Sequence, residues 1–257
     1  MVMRERRLVF GEVADDYDRL RPGYPPQLVE DVLAAAGPGP VLEVGAGTGK
    51  ATMAFAPRVA DLTCVEPDPR MAGVLRRKLP GARIVASKFE TWAPERGYGL
   101  LFSGQAWHWV DNDRRTDLAW AALASGGVLA PFWNMSTVAD PVLHAALREV
   151  DRRHGLDDHT PHRPLATGLP DRDAAEDRAE LGLDEERFPE VTVLRYHSAR
   201  SVSAADYPAF LLSFSLYRML DPGTAGAVVA DTVAAIEAHG GVLDFIMVTD
   251  LVLARRA

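Results

Sequence analysis

One stretch restricts what this chain can become. Val41-Leu42-Glu43-Val44 reads as a short apolar strand. It runs straight into Gly45-Ala46-Gly47-Thr48-Gly49, and residues 50–59 then take up helical patterning. Glycine lets backbone approach a ligand closely and tolerates positive φ, so a glycine-rich turn between a strand and a helix is a nucleotide-binding element. The surrounding sequence has the matching rhythm. Strands are expected over 62–66, 83–86, 99–103 and 128–133, with helices over 27–36, 68–79 and 113–124. Strands alternating with helices give βαβ units and a parallel sheet, with ligands at the carboxyl ends of the strands.

The rhythm changes after Asn134. A helix is expected over 141–154, then a His-, Pro- and Asp-rich stretch over 155–170 and a charged helical segment over 171–181. A strand follows over 191–197, helices over 206–219 and 225–239, and a last strand over 245–253. The chain thus reads as one domain: an N-terminal lid (1–25), a cofactor-binding core (26–134), a helical cap insertion (135–190), and C-terminal strands and helices completing the sheet and an acceptor pocket (191–257). Composition predicts that 1–25 and 151–187 act as a lid.

Bulk properties exclude some partners. The formal net charge is −8, whereas a duplex-binding protein shows a basic surplus. Short basic groups such as Arg76-Arg77-Lys78 read as solvated helix faces, so neither nucleic acid nor an acidic membrane is expected as a partner. The single cysteine, Cys64, permits no internal disulfide, which fits a reducing, cytoplasmic setting. Residues 1–10 are charged and do not read as a signal peptide. No run reaches the roughly 18 apolar residues of a membrane span.

Three patterns compete for the glycine turn. A P-loop requires G-x-x-x-x-G-K-[ST]; Val44 stands at its first glycine and Ala51 at its magnesium-binding hydroxyl. A dinucleotide fingerprint requires G-x-G-x-x-G, and Lys50 occupies its third glycine. The third pattern, E-x-G-x-G-x-G, matches at every position from Glu43 to Gly49. Glu66 closes the second strand, where an acid can hold ribose hydroxyls. NAD would need the same acid, so Glu66 alone does not choose the cofactor.

The third pattern resembles motif I of the class I S-adenosylmethionine-dependent methyltransferases, and the resemblance extends to a small-molecule subgroup. It implies a Rossmann-like α/β fold: a mostly parallel seven-stranded sheet with helices on both faces. It further implies that S-adenosylmethionine is held by Glu43, Gly45, Ala46, Gly47, Gly49, Glu66 and Pro67. The lead-in around Tyr17 and Arg21 would lie near the methionine carboxylate or form a lid. Ser87 and Phe89 resemble the adenine-contacting segment, with Lys88 where many relatives carry Asp; lysine cannot accept the adenine amino hydrogen bond. Ser103 and Gln105 resemble the motif after the fourth strand.

Methyl transfer from a sulfonium is an in-line displacement governed by positioning and exclusion of water. If the acceptor must lose a proton, His108 is the candidate base, from its place past a strand end and its ordinary pKa of about 6.5. The competing reading is that Trp107-His108-Trp109 frames the cofactor. Trp107, Trp133, Asn134, Phe210 and Phe214 are the candidate acceptor-pocket residues, although an aromatic stripe on a helix is more often core. His154, Asp157, Asp158, His159 and His162 match no strong zinc spacing, so no metal is expected. The alternatives to a methyltransferase are an NAD-dependent oxidoreductase and a non-catalytic S-adenosylmethionine-binding module.

Overall fold

A computed structural model of the 257-residue chain describes residues 11, 12, 14–156, 160–162 and 173–257. These contain seven strands, β1 (Val41–Val44), β2 (Leu62–Val65), β3 (Arg83–Val85), β4 (Tyr98–Gly104), β5 (Leu123–Val138), β6 (Glu190–Ser203) and β7 (Val242–Arg255), in one sheet of order β3-β2-β1-β4-β5-β7-β6. The pairs β1/β2, β1/β4, β2/β3 and β4/β5 are all parallel, and the fold is the expected mostly parallel α/β sheet. The chain divides into two compact units.

The first unit comprises residues 22–134, 171–196 and 249–257. It holds β1 to β4, α2 (Pro26–Ala35), α3 (Thr52–Phe55), α4 (Pro69–Lys78), α5 (Arg115–Ala122) and α7 (Ala174–Leu181). The sequence forms α4 by familiar devices. The Asp68 Oδ1 caps it by accepting from the Arg70 N–H at 2.9 Å, Pro69 fits the first turn, where its missing N–H is not needed, and Arg76, Arg77 and Lys78 complement the dipole in the last turn. Met71, Ala72, Val74 and Leu75 form its buried face. Apolar clusters lie on either side of the sheet strands. One gathers Leu42, Leu101, Leu129 and Val252, the other Val41, Leu100, Phe102 and Leu251.

The second unit comprises residues 1–21, 135–170 and 197–248. It contains α1 (Ala14–Leu20), α6 (Pro141–Arg153), α8 (Tyr207–Leu212), α9 (Ser215–Met219) and α10 (Pro222–Ala238). Here α6 packs on α10, and α8 on α1, α9 and α10. Its core contains a polar chain as well as apolar side chains. Asp151 accepts from Thr160 Oγ1 at 2.7 Å and lies 3.1 Å from His162 Nδ1, while His162 Nε2 meets the Tyr207 hydroxyl at 2.5 Å. Asp151, Thr160, His162 and Tyr207 are all buried.

Several sequence expectations change in form. The helix expected over 50–59 is α only over Thr52–Phe55 and tightens to a 3-10 turn at Ala56–Arg58, because Pro57 has no N–H to continue the ladder. The helix expected over 206–219 is broken. The Ser213 hydroxyl turns back to the Phe210 carbonyl at 2.5 Å, and Phe214 becomes extended before α9 begins. Ser125-Gly126-Gly127 is absorbed into β5, where the register jumps from Tyr98↔Leu123 to Leu100↔Val128. The expected lead-in contains α1, of which only Ala14 and Leu20 are buried, so it offers no apolar periodicity to read.

The expected cap at 135–190 is also divided. Residues 171–196 belong to the first unit, where Leu181, Leu183 and Phe188 join the core and Arg115 donates to the Glu180 carbonyl at 2.6 Å.

Removing one partner of a buried hydrogen-bonded cluster leaves the others unsatisfied. Asp151→Ala is therefore expected to lose roughly 3 kcal/mol in urea unfolding. Asp231→Ala, which breaks the more exposed pair to His154 at 2.9 Å, is expected to shift the unfolding midpoint much less.

Candidate functional site

The sheet register builds the site. Val44 pairs with Val65, and the Gly45 N–H donates to the Val65 carbonyl at 2.8 Å. The Glu66 N–H donates to the Val85 carbonyl at 3.0 Å. The ends of β1, β2 and β3 are thus level, and the chain leaves them at Gly45, Glu66 and Ala86. On the other side, the Ser103 hydroxyl donates to the Val44 carbonyl at 2.8 Å, tying β4 to the last residue of β1.

The glycine turn needs its glycines. Gly45 has φ of +72°, and a Cβ there would fall 2.3 Å from the Ala106 Cβ. Gly49 has φ of +88°, and a Cβ there would fall 2.5 Å from Leu75 Cδ1. Ala46 between them is buried. Lys78 Nζ reaches from α4 to the Thr48 carbonyl at 3.1 Å.

Two carboxyl groups flank this turn and do different things. Glu66 Oε2 accepts from the Gly47 N–H and Oε1 from the Asp68 N–H, each at 2.8 Å. One side chain therefore joins the glycine turn to the start of α4, with Pro67 partly exposed between them. Burial raises the Glu66 carboxyl to about 7, against the pull of these two amides. Glu43 is directed into the interior instead: its Oε2 accepts from Thr52 Oγ1 at 2.5 Å, and the Cys64 thiol lies 3.6 Å away. Burial pushes the Glu43 carboxyl up to about 8 and the Cys64 thiol upward as well. The sequence expectation grouped Glu43 with the ligand contacts; in the structure it braces β1 against β2 and α3.

Gln105 is the one non-glycine residue with positive φ among the described residues, at +59°. Such outliers persist where the surroundings hold them, commonly at functional sites. Here the Gln105 N–H donates to the Phe132 carbonyl at 2.9 Å and its Nε2 to the Asn134 carbonyl at 2.8 Å. Asn134 is fixed in turn, with Nδ2 donating to the Gly23 carbonyl at 3.0 Å and Oδ1 accepting from Thr249 Oγ1 at 2.6 Å. Trp133 Nε1 donates to His108 Nδ1 at 3.3 Å. A His108 ring that accepts at Nδ1 carries its proton on Nε2 when neutral.

The remaining expected residues are placed as follows. Ser87 lies in a turn, donating to the Lys88 carbonyl at 3.0 Å. Phe89 and Trp107 are core side chains, with ring centres 6.1 Å apart; Trp107 is 0% exposed, so in this structure it offers no surface to a ligand. Tyr17, Arg21, Phe210 and Phe214 are in the second unit. There the Arg21 guanidinium lies 3.6 Å from the Phe214 ring centre and donates to the Ser213 carbonyl at 3.0 Å. Of the His/Asp group weighed for metal, His154 pairs with Asp231 and His162 with Asp151; Asp157, Asp158 and His159 lie outside the described residues. Reading the sequence gave no sign of Thr52 or Cys64 as partners of Glu43, because those contacts arise only from folding.

Residues 41–127 match the family model described as a methyltransferase domain. Together with the sheet order and the glycine turn, this makes residues 41–127 similar to a methyltransferase domain. Among curated proteins it is similar to an uncharacterized methyltransferase of Mycobacterium tuberculosis, 37% identical over 132 residues, covering 51% of this chain and 54% of the relative. It is also similar to the trans-aconitate 2-methyltransferase of Variovorax paradoxus, 36% identical over 94 residues, covering 35% of this chain and 36% of that protein. The chain thus spans about half or less of the length of these relatives. A solved structure from Anaeromyxobacter dehalogenans, assigned as a type II methyltransferase, shares the fold with a TM-score of 0.63 at 22% identity, covering 91% of this chain and 97% of that one. No helix among the described residues is long and apolar enough to cross a membrane.

The buried Glu43 makes stability depend on pH. Its folded pKa, about 8, lies above its ordinary value of 4.5. The folded state therefore holds a proton that the unfolded chain releases, and this stabilisation is lost as pH rises from the ordinary value through the folded one. Thermal unfolding between pH 5 and pH 8.5 is expected to show a smaller fall in Tm for Glu43→Gln than for the unsubstituted protein.

Proposed function

We propose that this protein transfers a methyl group from S-adenosylmethionine to a small-molecule acceptor. The observation that carries the proposal is the Glu66 carboxylate at the end of β2. Each of its oxygens accepts one backbone N–H, and a carboxylate oxygen has a second lone pair. Two acceptor positions on one carboxylate suit the vicinal hydroxyls of a ribose. The neighbouring turn suits a ligand as well: a Cβ at Gly47 would have only the tip of Met71, at 3.5 Å, within van der Waals range. Absence of the P-loop and dinucleotide spacings supports the sulfonium over NAD and over a nucleoside triphosphate.

In this reading Glu66 holds the ribose, the glycine turn from Gly45 to Gly49 makes room for the nucleoside and methionine portions, and Ser103 and Gln105 fix the strand end beside them. When bound, the cofactor supplies a cationic methyl donor whose product is a neutral thioether. The protein's own work is positioning and keeping water out. His108 fits a positioning role better than that of a base, because its Nδ1 lone pair is directed at the Trp133 indole N–H. Trp133 and Asn134 are the acceptor-facing candidates of the first unit. The acceptor named for the Variovorax relative, trans-aconitate, is a small molecule and supports that class here. The single cysteine and acidic balance support a cytoplasmic setting and no nucleic-acid partner.

Calorimetric titration with S-adenosylmethionine, S-adenosylhomocysteine and NAD tests the cofactor. Binding of the first two without NAD is expected; binding of NAD alone overturns the proposal. Because the Glu66 carboxyl lies near 7 and must be ionised to accept from both amides and hydroxyls, affinity is expected to rise about tenfold from pH 6 to pH 8. Glu66→Gln is expected to bind more weakly and to lose that dependence. Once an acceptor is in hand, His108→Ala is expected to lower kcat/KM by about tenfold or less without changing the shape of the pH–rate profile. Losses of 100-fold or more with an altered profile would restore the role of base.

A further inference from the structure

Thr249 is an interior residue of β7 and is 1% exposed. Its hydroxyl donates to Asn134 Oδ1 at 2.6 Å. The other side of the Asn134 amide fixes the direction of this bond. Asn134 Nδ2 donates to the Gly23 carbonyl at 3.0 Å, and a carbonyl can only accept, so the amide oxygen must face Thr249. Without the hydroxyl that oxygen is left unsatisfied, and nothing at position 249 opposes a turn of the amide that releases Gly23.

Asn134 belongs to a stretch of β5 that holds the segment after β4 residue by residue. The Phe132 carbonyl accepts from the Gln105 N–H at 2.9 Å, the Trp133 indole donates to His108 at 3.3 Å, and the Asn134 carbonyl accepts from Gln105 Nε2 at 2.8 Å. Two of these bonds keep Gln105 in its left-handed conformation, which a non-glycine residue retains where its surroundings hold it. Gln105 in turn places Ala106, whose Cβ lies 2.3 Å from where a Cβ at Gly45 would fall. The Gly23 end is packed as closely. Tyr24 meets the Phe132 ring edge to face with centres 4.6 Å apart, and a Cβ at Gly104 would fall 2.7 Å from the Tyr24 hydroxyl. All of these residues belong to the first unit.

We infer that Thr249 is a positioning residue for the cofactor: acting through Asn134 and Gln105, its hydroxyl sets where Ala106 stands against the first glycine of the turn. The inference rests on the reading that this turn holds S-adenosylmethionine. A binding group keeps its geometry only when the residues behind it are themselves held by packing and hydrogen bonds, and a displacement of about 1 Å is enough to degrade a site. Valine has nearly the shape of threonine but lacks the hydroxyl, so Thr249→Val removes the bond to Asn134 with little change in volume. Thr249→Ser keeps the hydroxyl and loses a methyl group.

The test uses the full chain and two readouts: backbone amide NMR signals of the ligand-free protein, and calorimetric titration with S-adenosylhomocysteine. Thr249→Val is expected to shift the signals of Gln105, Ala106 and Gly45 and to bind S-adenosylhomocysteine about tenfold more weakly. Thr249→Ser is expected to restore all three signals and to bind within about twofold of the unsubstituted protein. Thr232→Val, at a buried threonine of α10 in the second unit, is expected to change neither readout. A threonine that served only the stability of β7 would lower Tm and leave both readouts where they were. Unmoved signals at Gln105, Ala106 and Gly45, unchanged affinity in Thr249→Val, or a Thr249→Ser variant as weak as Thr249→Val overturns the inference. If Thr249→Val lacks a cooperative unfolding transition, Thr249→Ala takes its place, and loss of the fold in both also overturns it. Titration of the unsubstituted protein separates the two failures. If it does not bind S-adenosylhomocysteine, the cofactor reading falls and this inference with it; if it binds, the outcomes at Thr249 bear on this inference alone.

Discussion

The Glu66 carboxylate is the contact on which the arrangement of the first unit's strand ends depends. One oxygen fixes the glycine turn through Gly47 and the other fixes the entry to α4 through Asp68. Both bonds must form where burial disfavours the ionised carboxyl, so the group sits close to its titration point. Either protonation or a competing donor at this residue disturbs two elements together. Glu43, one strand away, shows the opposite solution. Its carboxyl is enclosed by Thr52 and Cys64 and serves the interior.

The division of labour between these two acids explains how far the sequence could be read. The strand–turn–helix order around Gly45, Gly47 and Gly49 was legible because glycine spacing reports a backbone requirement directly, and Glu66 because it ends an apolar strand. Glu43 has the same chemistry and an equally regular position in the motif, yet its direction depends on partners nine and twenty-one residues away. Spacing along the chain does not encode that direction. Gln105 was legible as part of a motif, but its left-handed backbone was not, since it is held by the Phe132 and Asn134 carbonyls after folding.

The second unit was harder to read for a different reason. Its helices range from 5 to 17 residues, and its core mixes apolar side chains with polar ones such as Asp151 and His162 that satisfy one another. Hydrophobic periodicity reports burial only when buried residues are apolar. The buried His162 sits in a His-, Pro- and Asp-rich stretch that reads as loop, although it pairs with Asp151 within the protein. The break between α8 and α9 had no punctuation from glycine or proline, because a serine hydroxyl ends the helix.

The enclosure of Cys64 has a practical side. The sole thiol of this sequence is 0% exposed, and its burial beside Glu43 suppresses the thiolate through which alkylating reagents react. Labelling of the folded protein must then wait for β2 to separate from its surroundings. The alkylation rate becomes a clock for local opening of the sheet around β2, and a second cysteine placed on the surface by mutation could be labelled selectively with the native one left untouched.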